Sequence, residues 1–394
     1  MAISHPMNHP RTPSPEFPVV SRSATPTTPN IKVPPGLAAL STSASKQKVL
    51  YANLNSEDKA RLAVVNAFKE STQFTTKYDA KRIIGFGSNG VVLAATHGST
   101  VVAIKIIYKN KASVHASTPA EIEVLKHLSL NSASTTSKLL KHIDDWQDVN
   151  HFYVVTELFG SDWLAATSAV EPDCLHPLVF RANNTNISLP FSAGSSDLWA
   201  WSYAHRTHIF ATEGHSMLPL HPVKAIVKQI AIALNEMHTK GFYHGDVKIE
   251  NVLIQSGGKL GPQTRLADFG HTKHASFGIK SYGTQEVSPP EFLSDSSFSS
   301  QEIDGRAADV FALGMVLYVL LNNHGELPSA VKEVKKGCVG YERLVSLRDG
   351  EYPLDDITDL DDEAWDLLFA MTRIDPTSRV TIHQVLSHPF FADV

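Results

Sequence analysis

Near residue 158 the hydrophobic period changes from short β-branched runs to runs at helical spacing, and no other feature restricts the fold so strongly. From Tyr78 onward, Lys81-Arg82-Ile83-Ile84, Gly90-Val91-Val92-Leu93-Ala94 and Val101-Val102-Ala103-Ile104-Lys105-Ile106-Ile107 are bounded by Gly and Ser clusters. They are expected to be successive strands of an antiparallel meander. Ala120 to Leu128 is expected to be a helix with Ile122, Leu125 and Leu128 on one face, and Leu139 to Ile143 and Phe152 to Leu158 to be two more strands. Beyond that point, Pro222 to His238 carries Val223, Ile226, Val227, Ile230, Ala233, Leu234 and Met237 at helical spacing. Ala307 to Leu321, Asp361 to Met371 and Thr381 to His388 continue the helical pattern. Strands first and helices after imply an α+β chain of two lobes, an antiparallel-sheet small lobe and a mainly helical large lobe. The 394 residues suit one large bilobal unit with appendages.

Charged residues make up 19% of the chain and the formal net charge is −5, so composition points neither to nucleic acid nor to an anionic membrane as a partner. The two cysteines, Cys174 and Cys338, have no metal-ligand spacing and form no disulfide framework, which favours a reducing compartment. The longest apolar run, Val310 to Leu321, has about twelve residues including Gly314, too short for a bilayer and right for a buried helix. The N-terminus lacks a signal-peptide pattern, and the expected location is the cytoplasm, the nucleus or both. Residues 1–48 are dominated by Pro, Ser, Thr and Ala and are expected to be disordered, because they bury too little apolar surface to offset ordering entropy. Thr12-Pro13, Ser14-Pro15, Thr25-Pro26 and Thr28-Pro29 would make this tail a target for a proline-directed kinase, the alternative being coincidence in a Pro/Ser/Thr-rich linker. Residues 49–77 are expected to be a linker with a short helix that has Ser56 as its N-cap and acids in its first turn, with Leu62, Val65, Ala67 and Phe68 as a partial apolar stripe. Residues 166–217 have no clear period and are expected to be a disordered surface insertion, with a regulatory or docking role as the alternative.

Four motifs carry chemistry. Gly85-Phe86-Gly87-Ser88-Asn89-Gly90-Val91-Val92 lies between two strands, where glycines let a hairpin approach a polyphosphate and offer it backbone N–H groups. Val102-Ala103-Ile104-Lys105 ends a buried strand in a lysine, which needs phosphate oxygens or a carboxylate to offset its burial. Glu121 and Glu123 of the next helix both compete for that role, and Glu121 is preferred. His244-Gly245-Asp246-Val247-Lys248-Ile249-Glu250-Asn251 places a carboxylate, a cation and an amide in one loop, and Asp268-Phe269-Gly270 follows with a second carboxylate. Orienting a hydroxyl, balancing phosphate charge and holding magnesium are the parts that phosphoryl transfer requires.

On these motifs, over residues 78–392, the chain resembles a eukaryotic-type Ser/Thr protein kinase. Pro289-Pro290-Glu291, Asp309-Val310-Phe311-Ala312-Leu313-Gly314, Asp375-Pro376 with Arg379, and His388-Pro389-Phe390-Phe391 fit later landmarks of that family. The resemblance implies the bilobal protein-kinase fold, with a small lobe of about 78–157 and a large lobe of about 158–392. It implies ATP and Mg²⁺ as cofactors and a protein as substrate, with no nucleic acid or membrane partner. Asp246 would orient the substrate hydroxyl, Lys248 would stabilise the transferring group, and Lys105, paired with Glu121, would contact phosphates. Asn251 and Asp268 would ligate the metal. Ile84, Gly85, Phe86, Gly87, Ser88, Asn89, Gly90, Val92, Ala103, Lys105, Glu157 and Phe159 would surround the nucleotide, with Thr156 at the gatekeeper position behind the adenine. Lys248 and Gly283-Thr284 resemble Ser/Thr rather than tyrosine kinases.

One departure bears on control. Most of the family has an arginine before the catalytic aspartate that receives an activation-loop phosphate; here that residue is Gly245. Lys273 matches another basic position of the same pocket, Lys280 falls near the usual acceptor site, and Ser276 and Ser281 are close by. The expectation is an active kinase that needs no phosphate on its loop. The alternative is a pseudokinase scaffold, disfavoured because Lys105, Glu121, Asp246, Asn251 and Asp268 are all present.

Overall fold

The computed structural model describes residue 51 and residues 53–109, 118–130, 137–160, 175–191, 196–255, 261–279, 281–292, 303–331 and 351–394. Residues 1–48 with their Ser/Thr-Pro dipeptides, Cys174, Cys338 and Lys280 lie outside these.

Seven strands form the small-lobe sheet: β1 (Asp79–Phe86), β2 (Gly90–His97), β3 (Thr100–Tyr108), β4 (His142–Gln147), β5 (His151–Glu157), β6 (Leu175–Ala182) and β7 (Thr185–Phe191), in the order β4-β5-β3-β2-β1-β7-β6. All pairs are antiparallel except β1 with β7, which run parallel and meet at Ile83 and Phe191. Because strand side chains alternate, the sheet divides two apolar clusters. Ile83, Val91, Leu93, Val102, Ile104, Ile106, Tyr153 and Val155 pack on the outer side. Phe152 and Val154 pack inward with Ile122, Leu125 and Leu128 of helix α3 (Ala120–Leu130).

The outer cluster is closed by residues whose sequence suggests a linker. Helices α1 (Ser56–Glu70) and α2 (Thr72–Lys77) bury Ala60, Ala63, Val64, Ala67 and Phe74 against the sheet. The α1 cap is Asn55 rather than Ser56: the Asp58 N–H donates to the Asn55 side chain at 2.8 Å. Asp144 of β4 accepts from Lys77 and Tyr78, each at 2.6 Å, and the Trp146 indole N–H donates to Ser71 at 3.1 Å.

The stretch 166–217 also proves structured where it is described. Strands β6 and β7 form a hairpin whose two-residue turn, Asn183-Asn184, has φ of +48° and +62°. Two positive φ values in a two-residue loop match the twist of the flanking strands, and asparagine tolerates them. The small lobe therefore does not end at 157. The excursion begins and ends at one place: a Cβ on Gly160, at φ +113°, would lie 2.3 Å from the Ser196 Cβ. Residues 198–213 then form helix α4 (Leu198–Glu213), capped by Asp197 and ended by Gly214 at φ +78°.

The large lobe is built on α5 (Leu220–Thr239) and the almost wholly buried α6 (Gly305–Leu321), with α7 (Asp362–Met371) and α8 (Ile382–Leu386) beside them. The buried Arg206 of α4 donates to the Val319, Leu320 and Asn322 carbonyls at 2.7–2.9 Å, placing a cation at the negative end of α6. Between α5 and α6 lie the short strands β8 (Phe242–Tyr243), β9 (Val252–Gln255), β10 (Gln263–Leu266) and β11 (Lys273–His274); β9 pairs with β10 and β8 with β11. Among the described residues no helix is long and apolar enough to cross a membrane.

Candidate active site

The inner face of the sheet forms the roof of the site. With Val91, Val102, Ile104 and Val155 outward, alternation turns Val92, Ala103, Lys105 and Thr156 inward. Between β1 and β2, Gly87 N–H donates to the Gly90 carbonyl at 2.9 Å and closes the turn, leaving Ser88 and Asn89 exposed. Gly90 has to be a glycine because a Cβ would sit 2.7 Å from the Ile106 carbonyl oxygen, whereas Gly85 and Gly87 face open space. A register shift between Ile83 and Gly85 leaves Ile84 inward and carries the Phe86 ring to the outer cluster. For Phe86, which the sequence places among nucleotide contacts, only the main chain is left on that side.

Lys105 Nζ reaches Glu121 Oε1 at 2.5 Å and Asp268 Oδ1 at 3.2 Å. Glu123 is exposed, since residues two apart point to different sides of a helix. Burial opposes the charge on Lys105, but the Glu121 and Asp268 carboxylates outweigh it and hold its ammonium above the usual lysine range. The same lysine charge lowers the Asp268 carboxyl below its ordinary value. Asp268 has φ +62°, a conformation rare outside glycine and typical of functional sites.

The loop between β8 and β9 is held from below by Asp309 of α6, which is completely buried. Its Oδ2 accepts from the His244 N–H at 2.7 Å and its Oδ1 from the Gly245 N–H at 2.9 Å. Gly245 has φ +80°, and a Cβ there would come within 2.7 Å of the His271 carbonyl oxygen. The position thus favours glycine sterically, and any side chain would press on His271. Asn251 Nδ2 donates to Asp246 Oδ2 at 3.0 Å and to its carbonyl at 2.8 Å, fixing the carboxylate. Thr284 Oγ1 donates to Asp246 Oδ1 at 2.6 Å and accepts from Lys248 Nζ at 2.7 Å, while Lys248 lies 3.3 Å from Asp246 Oδ2. A Cβ on Gly283 would meet the Asp246 side chain at 2.7 Å, so only glycine lets the segment approach this closely.

Beyond Asp268 the chain is tied down by uncharged donors. β11 pairs with β8, the Gly283 N–H donates to the Gly245 carbonyl at 2.9 Å, and the buried Tyr282 hydroxyl accepts from the Val247 N–H and donates to Asp309 Oδ1, both at 3.0 Å. Lys273, Ser276 and Ser281 are exposed. The segment ends at Glu291, whose carboxylate forms a fully buried bidentate pair with Arg379 at 3.0 Å.

At the lobe junction the Glu157 N–H donates to the Lys141 carbonyl at 3.0 Å, which leaves the carbonyl as the main-chain group Glu157 has to offer adenine. Arg265 of β10 donates to Glu157 Oε1 at 3.2 Å and lies 4.6 Å from the Phe159 ring centre. Below, the Asn251 amide nitrogen is committed to Asp246, so its oxygen faces the ligand side; with Asp268 it offers the hard oxygen donors that suit Mg²⁺ shared with phosphates.

The structure therefore brings Lys105, Glu121 and Asp268 together under the roof and Asp246, Lys248 and Asn251 together in the loop. Sequence reasoning did not assign site roles to Thr284, Tyr282 and Asp309. Thr284 had a usable signal, a hydroxyl directly after a glycine in the segment that must pass Asp246.

A glycine turn over a lysine–carboxylate pair, facing a loop of carboxylate, lysine and asparagine across two lobes, defines a phosphotransferase fold of the protein-kinase type. The protein kinase domain family matches residues 197–391. The chain is similar to the probable serine/threonine-protein kinase KCC4 of Saccharomyces cerevisiae, 25% identical over 78% of this chain and 25% of the relative. It is also similar to serine/threonine-protein kinase SRK2C of Arabidopsis thaliana, 30% identical over 42% of this chain and 46% of the relative. Serine/threonine-protein kinase DCLK3 of Homo sapiens is 31% identical over 42% of this chain and 24% of its own length. The chain spans a quarter to under half of these relatives. The chain carries a eukaryotic-type Ser/Thr protein kinase domain.

Proposed function

We propose that the chain is an ATP-dependent protein Ser/Thr kinase that is active without phosphate on its activation segment. The convergence of Asp246, Lys248 and Thr284 opposite the Lys105–Glu121–Asp268 cluster carries the reading of the chemistry. A Ser or Thr hydroxyl of the substrate protein gives its proton to Asp246 as its oxygen bonds the γ-phosphorus. The bond from that phosphorus to the bridging oxygen breaks, and ADP leaves. Lys248 balances charge on the moving group and Lys105 holds the α- and β-phosphates. Mg²⁺ held by Asn251 and Asp268 would neutralise charge on the phosphates.

Independence from loop phosphorylation rests on Tyr282 and Gly283, which join the segment to Val247, Asp309 and Gly245 where the family more often uses an arginine and a phosphate. The substrate is read as a protein in the cytoplasm or nucleus, and the Ser/Thr-Pro dipeptides of residues 1–48 as targets of a separate proline-directed kinase.

The test incubates the purified chain with MgATP and a Ser/Thr peptide library beside Asp246→Asn. Transfer by the wild type and a loss on the order of 10³-fold in the variant are expected. Nucleotide binding without transfer would instead establish a scaffold. Phosphatase treatment should leave transfer intact, and abolition of activity on removing segment phosphate would overturn the second half of the reading.

A further inference from the structure

The inserted hairpin β6–β7 reaches the glycine-rich turn from outside the nucleotide site. The excursion is rooted where Gly160 and Ser196 meet, and the Ser196 carbonyl accepts from the Ile254 N–H of β9 at 2.8 Å, which anchors that root on the large lobe. At the end of the hairpin away from its own turn, β7 joins β1 at Ile83 and Phe191, so β1, which leads into the glycine-rich turn, is no longer an edge strand. Phe191 is 2% exposed and held on two sides. The Phe86 ring meets it edge-to-face at 5.1 Å, and the Arg61 guanidinium lies 4.8 Å from its centre. Arg61 itself donates to the His176 carbonyl of β6 at 2.8 Å and pairs with Glu57 of α1 at 2.7 Å. Gly85 and Gly87, either side of Phe86, face open space. Phe86 is therefore the turn's side chain through which packing can fix the backbone N–H groups.

We propose that Phe191 is a positioning residue for nucleotide binding: the inserted hairpin, braced by Arg61 of α1, holds the glycine-rich turn in place through the outward ring of Phe86. The inference rests on the kinase reading for the identity of the nucleotide. It adds that affinity for the phosphates depends on an aromatic contact on the opposite face of the sheet. An ordering contact of this kind lowers the freedom the turn must lose when phosphate binds.

The experiment uses the full chain and measures the Kd for MgATP by calorimetry together with KM and kcat for transfer. Phe191→Ala should raise Kd and KM for ATP by up to about tenfold, the scale of one aromatic pair. Its kcat should stay within about twofold, because Lys105, Asp246 and Lys248 are untouched. Phe191→Tyr keeps the ring and should restore the wild-type values. Leu189→Ala is the control for mere destabilisation: Leu189 is 3% exposed on the same strand and same side. It should lower the unfolding temperature and the active fraction while leaving the Kd unchanged. An unaltered Kd in Phe191→Ala, or an equal rise in Leu189→Ala, would overturn the inference. A wild type that binds MgATP and transfers nothing would instead sink the kinase reading, and the Kd comparison would still decide the role of Phe191.

Discussion

Under the catalytic loop one hydroxyl joins three parts of the chain. Tyr282, from the activation segment, accepts from the Val247 N–H and donates to Asp309, and Asp309 also holds the His244 and Gly245 N–H groups. Burial, with the Asp309 charge beside it, pushes the Tyr282 hydroxyl far above the usual tyrosine range, so it remains a donor at any physiological pH. Tyr282→Phe removes that donor and leaves the buried Val247 N–H without its acceptor, at a cost of about 1–3 kcal/mol. The expected result is a lower urea midpoint together with slower turnover; an unchanged midpoint would show that the hydroxyl is dispensable. At this scale the sequence was most legible where chemistry ties residue types together: Lys105 meets Asp268, and Asn251 meets Asp246. Glu121 could be preferred but not settled against Glu123, because only the docked orientation of α3 decides which carboxylate faces inward. Tyr282 was illegible because a tyrosine between a serine and a glycine has no period or spacing that marks it as buried.

Among the elements, the β4–β5 turn shows how a short connection is stabilised by charge. Asp148 Oδ1 accepts from the Asn150 N–H at 2.7 Å and the His151 N–H at 2.8 Å, and Oδ2 accepts from the Tyr153 hydroxyl at 2.5 Å. Burial alone would raise this carboxyl, but the hydrogen bonds from His151, Tyr153 and Asn150 prevail and lower it from 3.8 to about 2. A depressed native value means the ionised form stabilises the fold. The contribution is complete above about pH 4 and disappears as pH falls toward 2, and its full size is about 2 kcal/mol. Urea unfolding of wild type and Asp148→Asn between pH 2 and 7 should show the stability difference widening above pH 2 and level above about pH 4. A difference independent of pH would refute the assignment. The hairpin β6–β7 teaches a different lesson about elements. Its Asn183-Asn184 turn went unread in the sequence, and the flanking Leu178 to Ala182 and Thr185 to Leu189 alternate too weakly for periodicity to find them.

For the whole molecule the decisive point is where the folded unit begins. The strand pattern starts at Tyr78, and that start sets the apparent boundary in the sequence. Yet α1 and α2 supply the outer cover of the small-lobe sheet, mostly through Ala60, Ala63, Val64 and Ala67. Alanines give a weak hydrophobic signal, and of the expected stripe only Ala67 is fully buried, while the larger Leu62, Val65 and Phe68 mark a neighbouring face of the helix. The consequence reaches the active site through β4. Asp144 holds Lys77 and Tyr78 on the outer side, while Asp145, facing the other way by strand alternation, pairs with Lys126 of α3 at 2.9 Å. Helix α3 in turn carries Glu121 to Lys105. Phe74 is the largest side chain the two helices insert, fully buried, with Phe68 5.0 Å and Tyr153 6.3 Å from its ring centre. If residues 51–77 were a linker, Phe74→Ala would behave as a surface change, within about 0.5 kcal/mol of wild type. If they belong to the core, the emptied space costs about 3–5 kcal/mol. Urea unfolding separates these two values cleanly. A loss of several kcal/mol, accompanied by weaker nucleotide binding through the β4–α3–Glu121 connection, is the expected outcome, and a loss below about 1 kcal/mol would return these helices to the status of a linker.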